Sequence, residues 1–238
     1  TLVIDGQALV MSLGRPPDCN TFTEYADRFT KTVLTLGKDF NRIDVTFDRY
    51  REFSIKNATR KKRTKGLQCI RRAVTDGSVP LPKNWSSFIT LNENKADLAR
   101  FLSTALIAQS PVEKVVITGG GFTEENAVLS SSLDIDITAL QGYHEEADTR
   151  IILHCVHSTA DFLVVLSQDT DVFLLLVAHF DRMQCKQLWM KAGTSKKPKF
   201  LPIHTVHESL KLQIPDIDTI LSFHALTGND NNDIFTTM

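Results

Sequence analysis

Short apolar runs alternate along this chain with stretches whose apolar residues recur every three or four positions. Leu2-Val3-Ile4, Asn41 to Asp48, Lys114 to Thr118 and Phe162 to Leu166 have the length and apolar content of buried strands. Residues 21–37 set Tyr25, Phe29, Val33 and Leu36 at helical spacing. Trp85 to Gln109 predicts one or two helices whose stripe of Leu98, Phe101, Leu102 and Leu106 suits a core. Helices are also predicted over Glu145 to His157, Thr205 to Leu212 and Asp216 to Leu226, and Val172 to His179 reads as a further buried segment. Residues 1–10 read as a strand and a turn. Asp134-Ile135-Asp136 alternates like an edge strand that Ile137 to Gln141 continues, and Leu188 to Met190 can pair with Phe200 to Ile203 around a Lys-rich turn at 191–199. Gly119-Gly120-Gly121 lacks the Lys-Ser/Thr of a phosphate loop and reads as a turn. Strands alternating with helices predict an α/β fold: a mainly parallel central sheet flanked by helices, in a single domain.

Composition adds little to this picture, but the placement of charge changes it. The 238 residues are 42% hydrophobic and 23% charged, as in an ordinary globular domain, and the net charge is −1. That near-neutral total conceals a basic run, Lys56, Arg60, Lys61, Lys62, Arg63, Lys65, Arg71 and Arg72, with the acids gathered elsewhere. A basic patch beside an acidic cluster suits a polyanion held next to a metal site. Four cysteines without C-x-x-C spacing argue against a disulfide framework and for a reducing, intracellular setting, with Cys155 a buried thiol. His154/His157 and His204/His207 have His-x-x-His spacing but no third zinc ligand at a helpful distance, so packing roles are favoured. The longest apolar run, Val172 to Ala178, is too short to cross a bilayer, so no membrane role is expected. No signal peptide is visible, and a chain that begins inside a strand points to a fragment of a longer protein.

The candidate chemistry lies where apolar runs stop. Phe162 to Leu166 leads into Ser167-Gln168-Asp169-Thr170-Asp171, Leu2-Val3-Ile4 ends in Asp5, and Val45-Thr46-Phe47 ends in Asp48. Glu145, Glu146 and Asp148 open a helix, and Ile220 to Leu226 leads into Thr227-Gly228-Asn229-Asp230. Any one of these acids has a plain reading as a turn or capping residue. Their recurrence at strand ends and helix starts points instead to a hard-cation site, because Mg²⁺ and Mn²⁺ take carboxylate oxygen and ligands gather at the carboxyl ends of parallel strands.

In this order the motifs resemble the flap endonuclease and 5′-exonuclease branch of the PIN-like nuclease superfamily. Its S-x-D-x-D element matches Ser167 to Asp171, its late L-x-G-x-D element matches Leu226 to Asp230, and its E-x-E pattern occurs as Glu146-Ala147-Asp148. The phrases HEEADTRI, SQDTDV and FHALTGND are also similar to an uncharacterised nuclease-like family in animal genomes tied to mobile elements, in which the last phrase reads A-L-T-G-C-D. The resemblance spans Leu2 to Asp230. It implies two Mg²⁺ or Mn²⁺ ions, with Asp5, Asp48, Glu146 and Asp148 around one and Asp169, Asp171 and Asp230 around or supporting the other. It also implies a nucleic-acid partner, DNA before RNA, a nuclear location, and contacts to phosphates from Lys56, Arg60, Lys61, Lys62 and Arg63. Residues 49–109 would then form a basic helical cap-like insertion, with Tyr50 and Phe53 placed to stack a base. The chain departs from the branch after the last acid, where Asn231-Asn232-Asp233-Ile234 stands in place of a Gly-rich helix-hairpin-helix, which puts duplex grip and flap specificity in doubt. Two other readings are open: a decayed nuclease fold that binds nucleic acid or protein, and a haloacid-dehalogenase-like phosphatase built on Asp169, Asp171, Asp230 and Asp233.

Overall fold

The computed structural model describes residues 1–49, 70–122, 124, 126–142, 147–194, 197–214 and 216–227. Its strands are β1 (Leu2–Asp5), β2 (Arg42–Thr46), β3 (Val115–Gly119), β4 (Val128–Ser130), β5 (Phe162–Leu166), β6 (Gln187–Thr194) and β7 (Lys197–Pro202). They form one sheet in the order β4-β3-β2-β1-β5-β6-β7. The five inner strands run parallel, and β4 and β7 are antiparallel edges. Parallel neighbours need crossovers, and helices supply them on both faces.

One face carries Ile4, Ile43, Val45, Val116 and Val164. It packs under α1 (Gly6–Leu13), α2 (Phe22–Leu36), α3 (Trp85–Ile89) and α4 (Asn92–Ala108). The other carries Val3, Leu163 and Val165 under α5 (Ala147–His157), α6 (Thr170–Ala178) and α7 (Ile203–Lys211). The last helix, α8 (Thr219–Thr227), lies against α6. The α2 start is written in the sequence: Thr21 and Glu24 form a capping box, and Tyr25, Phe29 and Val33 are all buried. The predicted α/β sandwich with a mainly parallel sheet is thus the observed architecture.

Several local expectations are corrected. Residues 6–13 form a helix rather than a turn, because Asp5 ends β1 and caps α1 at once, its side chain accepting from the Ala8 N–H at 2.9 Å. The 134–137 alternation is not a strand. The antiparallel edge is β4, three residues long, and a 3₁₀ turn at Thr138–Leu140 follows. Val172 to Ala178 is helical. α3 and α4 pack into the helical layer over the sheet, with Leu98, Leu102 and Leu106 buried in its core, as their stripe predicts. Residues 50–69, with Lys56, Arg60, Lys61, Lys62 and Arg63 and with Tyr50 and Phe53, lie outside the described residues.

Beyond that segment the chain is pinned by Asn94, which is fully buried in α4. Its amide nitrogen donates to the Ile70 and Phe88 carbonyls at 2.7 Å each, and its oxygen accepts from Arg71 at 2.8 Å and the Arg72 N–H at 3.0 Å. The amide group is fully used. Arg71 also pairs with Asp97 at 2.8 Å, so this member of the basic run serves the fold rather than a polyanion. Gly120, at φ 86°, passes so close to β2 that a Cβ there would lie 2.0 Å from the Phe47 carbonyl oxygen, which accounts for the glycine run as a turn.

Candidate acidic site at the strand-end edge

Parallel registration decides which acids can meet. Asp5 of β1 is level with Thr46 of β2, and Ile4 is level with Leu166 of β5. The three strands therefore finish together, and the residues leaving them share one edge. Asp5 is the last residue of β1. Asp48 follows Phe47, whose N–H still donates to the Gly119 carbonyl at 2.8 Å. Asp169 follows β5 and caps α6. This is the edge at which open α/β sheets bind ligands.

Backbone amides orient these side chains. Asp5 Oδ1 accepts from the Ala8 N–H at 2.9 Å, Asp48 Oδ1 from the Ala147 N–H at 3.0 Å, and Asp169 Oδ1 from the Asp171 N–H at 2.9 Å. Ser167, itself buried, adds a hydroxyl that accepts from the Asp169 N–H at 3.2 Å. The Asp48 contact crosses 99 residues of sequence and docks the first turn of α5, and with it Asp148, at the end of β2. Capping and a functional role are thus compatible: one carboxylate oxygen satisfies a helix N-terminus while the group stays at the strand-end edge.

The electrostatics of Asp5 show that the acids share a field. Its carboxyl is raised from the ordinary 3.8 to about 6: burial is the largest cause, the Ala8 and Gln7 N–H groups pull against it, and the charges of Asp48 and Asp169 add smaller upward pushes. A partly buried carboxyl raised by burial and like charge, at a strand-end edge, is the pattern expected where a cation or a proton is handled.

Asp171 is the second residue of α6, and His224 of α8 reaches it with Nε2 2.7 Å from Asp171 Oδ1. That contact brings α8 to the start of α6. His224 escaped the sequence reading although it stands inside the 223–230 phrase, because nothing local marks its partner 53 residues away. Glu146 and Asp230, with Glu145 and Asp233, lie outside the described residues. Among the described residues no group of three or more His, Cys, Asp and Glu forms a metal-holding cluster. The donor chemistry is nonetheless that of a hard cation, since every acid brought to the edge is a carboxylate.

The His-x-x-His pairs have packing roles. His154 Nδ1 lies 2.7 Å from Asp44 Oδ2 inside the protein. His204 Nδ1 lies 3.0 Å from the Leu188 carbonyl, and His207 bridges the Val177 carbonyl at 2.7 Å and Asp181 at 3.0 Å. Cys19, Cys155 and Cys185 are buried free thiols, as expected for Cys155. Among the described residues no helix is long and apolar enough to cross a membrane.

No family model and no curated protein matches this chain. Among solved structures it is similar to the crystal structure of T5 D15 protein co-crystallized with metal ions, at 14% sequence identity and a TM-score of 0.46. The match covers 96% of this chain and 66% of that one, so the chain spans a little under two thirds of the length of the protein it matches.

Proposed function

We propose that the chain is a divalent-metal-dependent nuclease that hydrolyses phosphodiester bonds in nucleic acid, DNA before RNA. The observation that carries this reading is the meeting of Asp5, Asp48 and Asp169 at the ends of three adjacent parallel strands, with the Asp148 helix docked beside them through Asp48. Each caps a backbone N–H, and together they would offer the carboxylate oxygen that Mg²⁺ and Mn²⁺ take.

Asp5, Asp48, Asp148, Asp169 and Asp171 would hold Mg²⁺ or Mn²⁺, joined by Glu146 and Asp230 from outside the described residues. Two such ions would supply Lewis acidity, easing deprotonation of an attacking water and offsetting charge on the leaving oxygen. The chain's own contribution is orientation. Asp5, Asp48 and Asp169 each have one oxygen held by a backbone N–H, which fixes the carboxylate planes before any ligand arrives. His224 holds Asp171 in the same manner from α8. The basic residues Lys56, Arg60, Lys61, Lys62 and Arg63 would engage phosphates flanking the cut.

The test is incubation with labelled single-stranded, duplex, flap and RNA substrates in Mg²⁺, Mn²⁺ or EDTA, beside the Asp169→Asn/Asp171→Asn variant. Cleavage that needs the metal and vanishes in the folded variant supports the reading. No cleavage of any substrate, with a melt that ignores Mn²⁺, would leave a non-catalytic binding fold.

A further inference from the structure

A cavity of about 260 Å³ opens beside the acidic edge, on the opposite sheet face from α5. Ile4 and Leu166 from the strands form its apolar walls with Leu9 and Leu13 of α1, and Asp5 and Lys191 line it as charged groups. Asp5 therefore belongs to the acidic edge and to this cavity at once. β6 makes the other wall. It continues past the end of β5, where Leu166 pairs with Lys191, so Ala192, Gly193 and Thr194 extend beyond the strand-end edge. Two contacts hold that overhang. Gln168 Nε2 donates to the Gly193 carbonyl at 3.1 Å, and the Lys191 ammonium lies 5.7 Å from the Phe200 ring centre on β7.

We propose that this cavity receives one unstacked base of a single-stranded nucleic acid, with Lys191 drawing the adjoining phosphate beside the acidic edge. The inference rests on the nucleic-acid reading above and names the subsite that reading lacks. The volume is below the range of about 300–1,000 Å³ usual for drug-sized ligands and suits a single base. Aliphatic walls take a base's face by apolar contact without choosing among bases, while Asp5, Ser167 and Gln168 offer polar groups to a base edge. Lys191 adds a cation of the protein itself beside these carboxylates, where a phosphate would otherwise meet like charge. A purely apolar occupant would have no use for a lysine and an aspartate in the same cavity.

The experiment titrates the protein into a labelled single-stranded oligodeoxynucleotide carrying 2-aminopurine, with Ca²⁺ replacing Mg²⁺ so that binding is read without turnover. A single abasic site is then walked along the strand. Binding should weaken at one abasic position, and 2-aminopurine emission should rise at that same position. Ala8→Trp and Ser12→Trp fill the cavity from exposed positions of α1. With melts like the parent's, each should weaken binding between about 5-fold and 100-fold, the range expected for losing one stacked base. Lys191→Ala should lower the slope of log affinity against log salt by about one. Unchanged affinity in both folded Trp variants, or indifference to the abasic site at every position, overturns the proposal. So does a nucleoside monophosphate that binds as tightly as the strand, or a failure of any strand to bind. The nuclease reading fails separately: cleavage without cavity dependence sinks only the base subsite, and cavity-dependent binding without cleavage sinks only the nuclease.

Discussion

Asp44 and Asp5 lie on neighbouring strands and face opposite electrostatic fates. Asp44 sits in the middle of β2, fully buried. Arg42 grips it through two bonds of 2.8 and 2.6 Å, and His154 Nδ1 of α5 approaches at 2.7 Å. Burial alone would raise its carboxyl, but these partners outweigh burial and hold it below the ordinary value. Asp5 sits at the end of β1, where burial, with smaller pushes from the charges of Asp48 and Asp169, outweighs the backbone N–H groups and raises its carboxyl to about 6. The buried acid in mid-sheet is held by opposite charge, whereas Asp5 at the strand end is raised by burial with like charges beside it. The first arrangement maintains structure; the second is the pattern of a group suited to taking a cation or a proton.

The contrast can be broken from either side. The largest effect is expected at the strand-end edge. Asp5→Asn combined with Asp169→Asn keeps shape and capping, since Asn caps helices as well as Asp. Metal-dependent cleavage should fall by several orders of magnitude while the melt holds or rises. A large loss of stability with activity per folded molecule intact would show that these acids are only caps. At the compensated centre the pattern reverses. Asp44→Ala leaves Arg42 and His154 facing each other inside the protein and should cost about 3–5 kcal/mol in denaturant titration, with activity per folded molecule retained.

The pH dependence sharpens the comparison. Asp5 has a folded value near 6 against an ordinary 3.8. Its contribution to stability is therefore fully present below about 3.8 and is lost as pH rises through 6. Asp5→Asn should exceed the parent in stability by up to about 3 kcal/mol above pH 6, with the advantage gone at pH 4, and saturating Mn²⁺ should erase most of it. Equal stabilities at pH 4 and pH 7.5 would mean that Asp5 is better solvated than its setting implies. The smallest effect is expected for His224→Ala. Its contact with Asp171 is partly exposed, so stability should change by about 1 kcal/mol or less. Mn²⁺ affinity should fall about 10-fold if His224 orients a metal ligand.

The acids at the strand ends were legible because their signal is local: an apolar run that stops at a carboxylate. Most of the sheet was legible for the same reason, and Phe162–Leu166 matches its predicted span. Asp44 was not, since Ile43-Asp44-Val45 contains no hint of a histidine 110 residues away. α1 was missed because its first cap is also the last residue of a strand. Val172 to Ala178 is apolar on nearly every side, and periodicity cannot separate a buried strand from a buried helix in such a run. The base-sized cavity has no sequence signature, being assembled from α1, α2 and the overhang of β6.

That overhang has a consequence for how the molecule keeps apart from its own copies. An unpaired strand edge is a template for another chain, and this sheet has two of them. One edge, β4, offers only three residues. The other, β7, reads Lys-Pro-Lys-Phe-Leu-Pro, with lysines and prolines where a continuous ladder would have to form. Proline has no N–H to donate, and stacked lysines repel. The same hairpin that would draw a phosphate towards the acids is therefore a poor template for a further strand at that edge of the sheet.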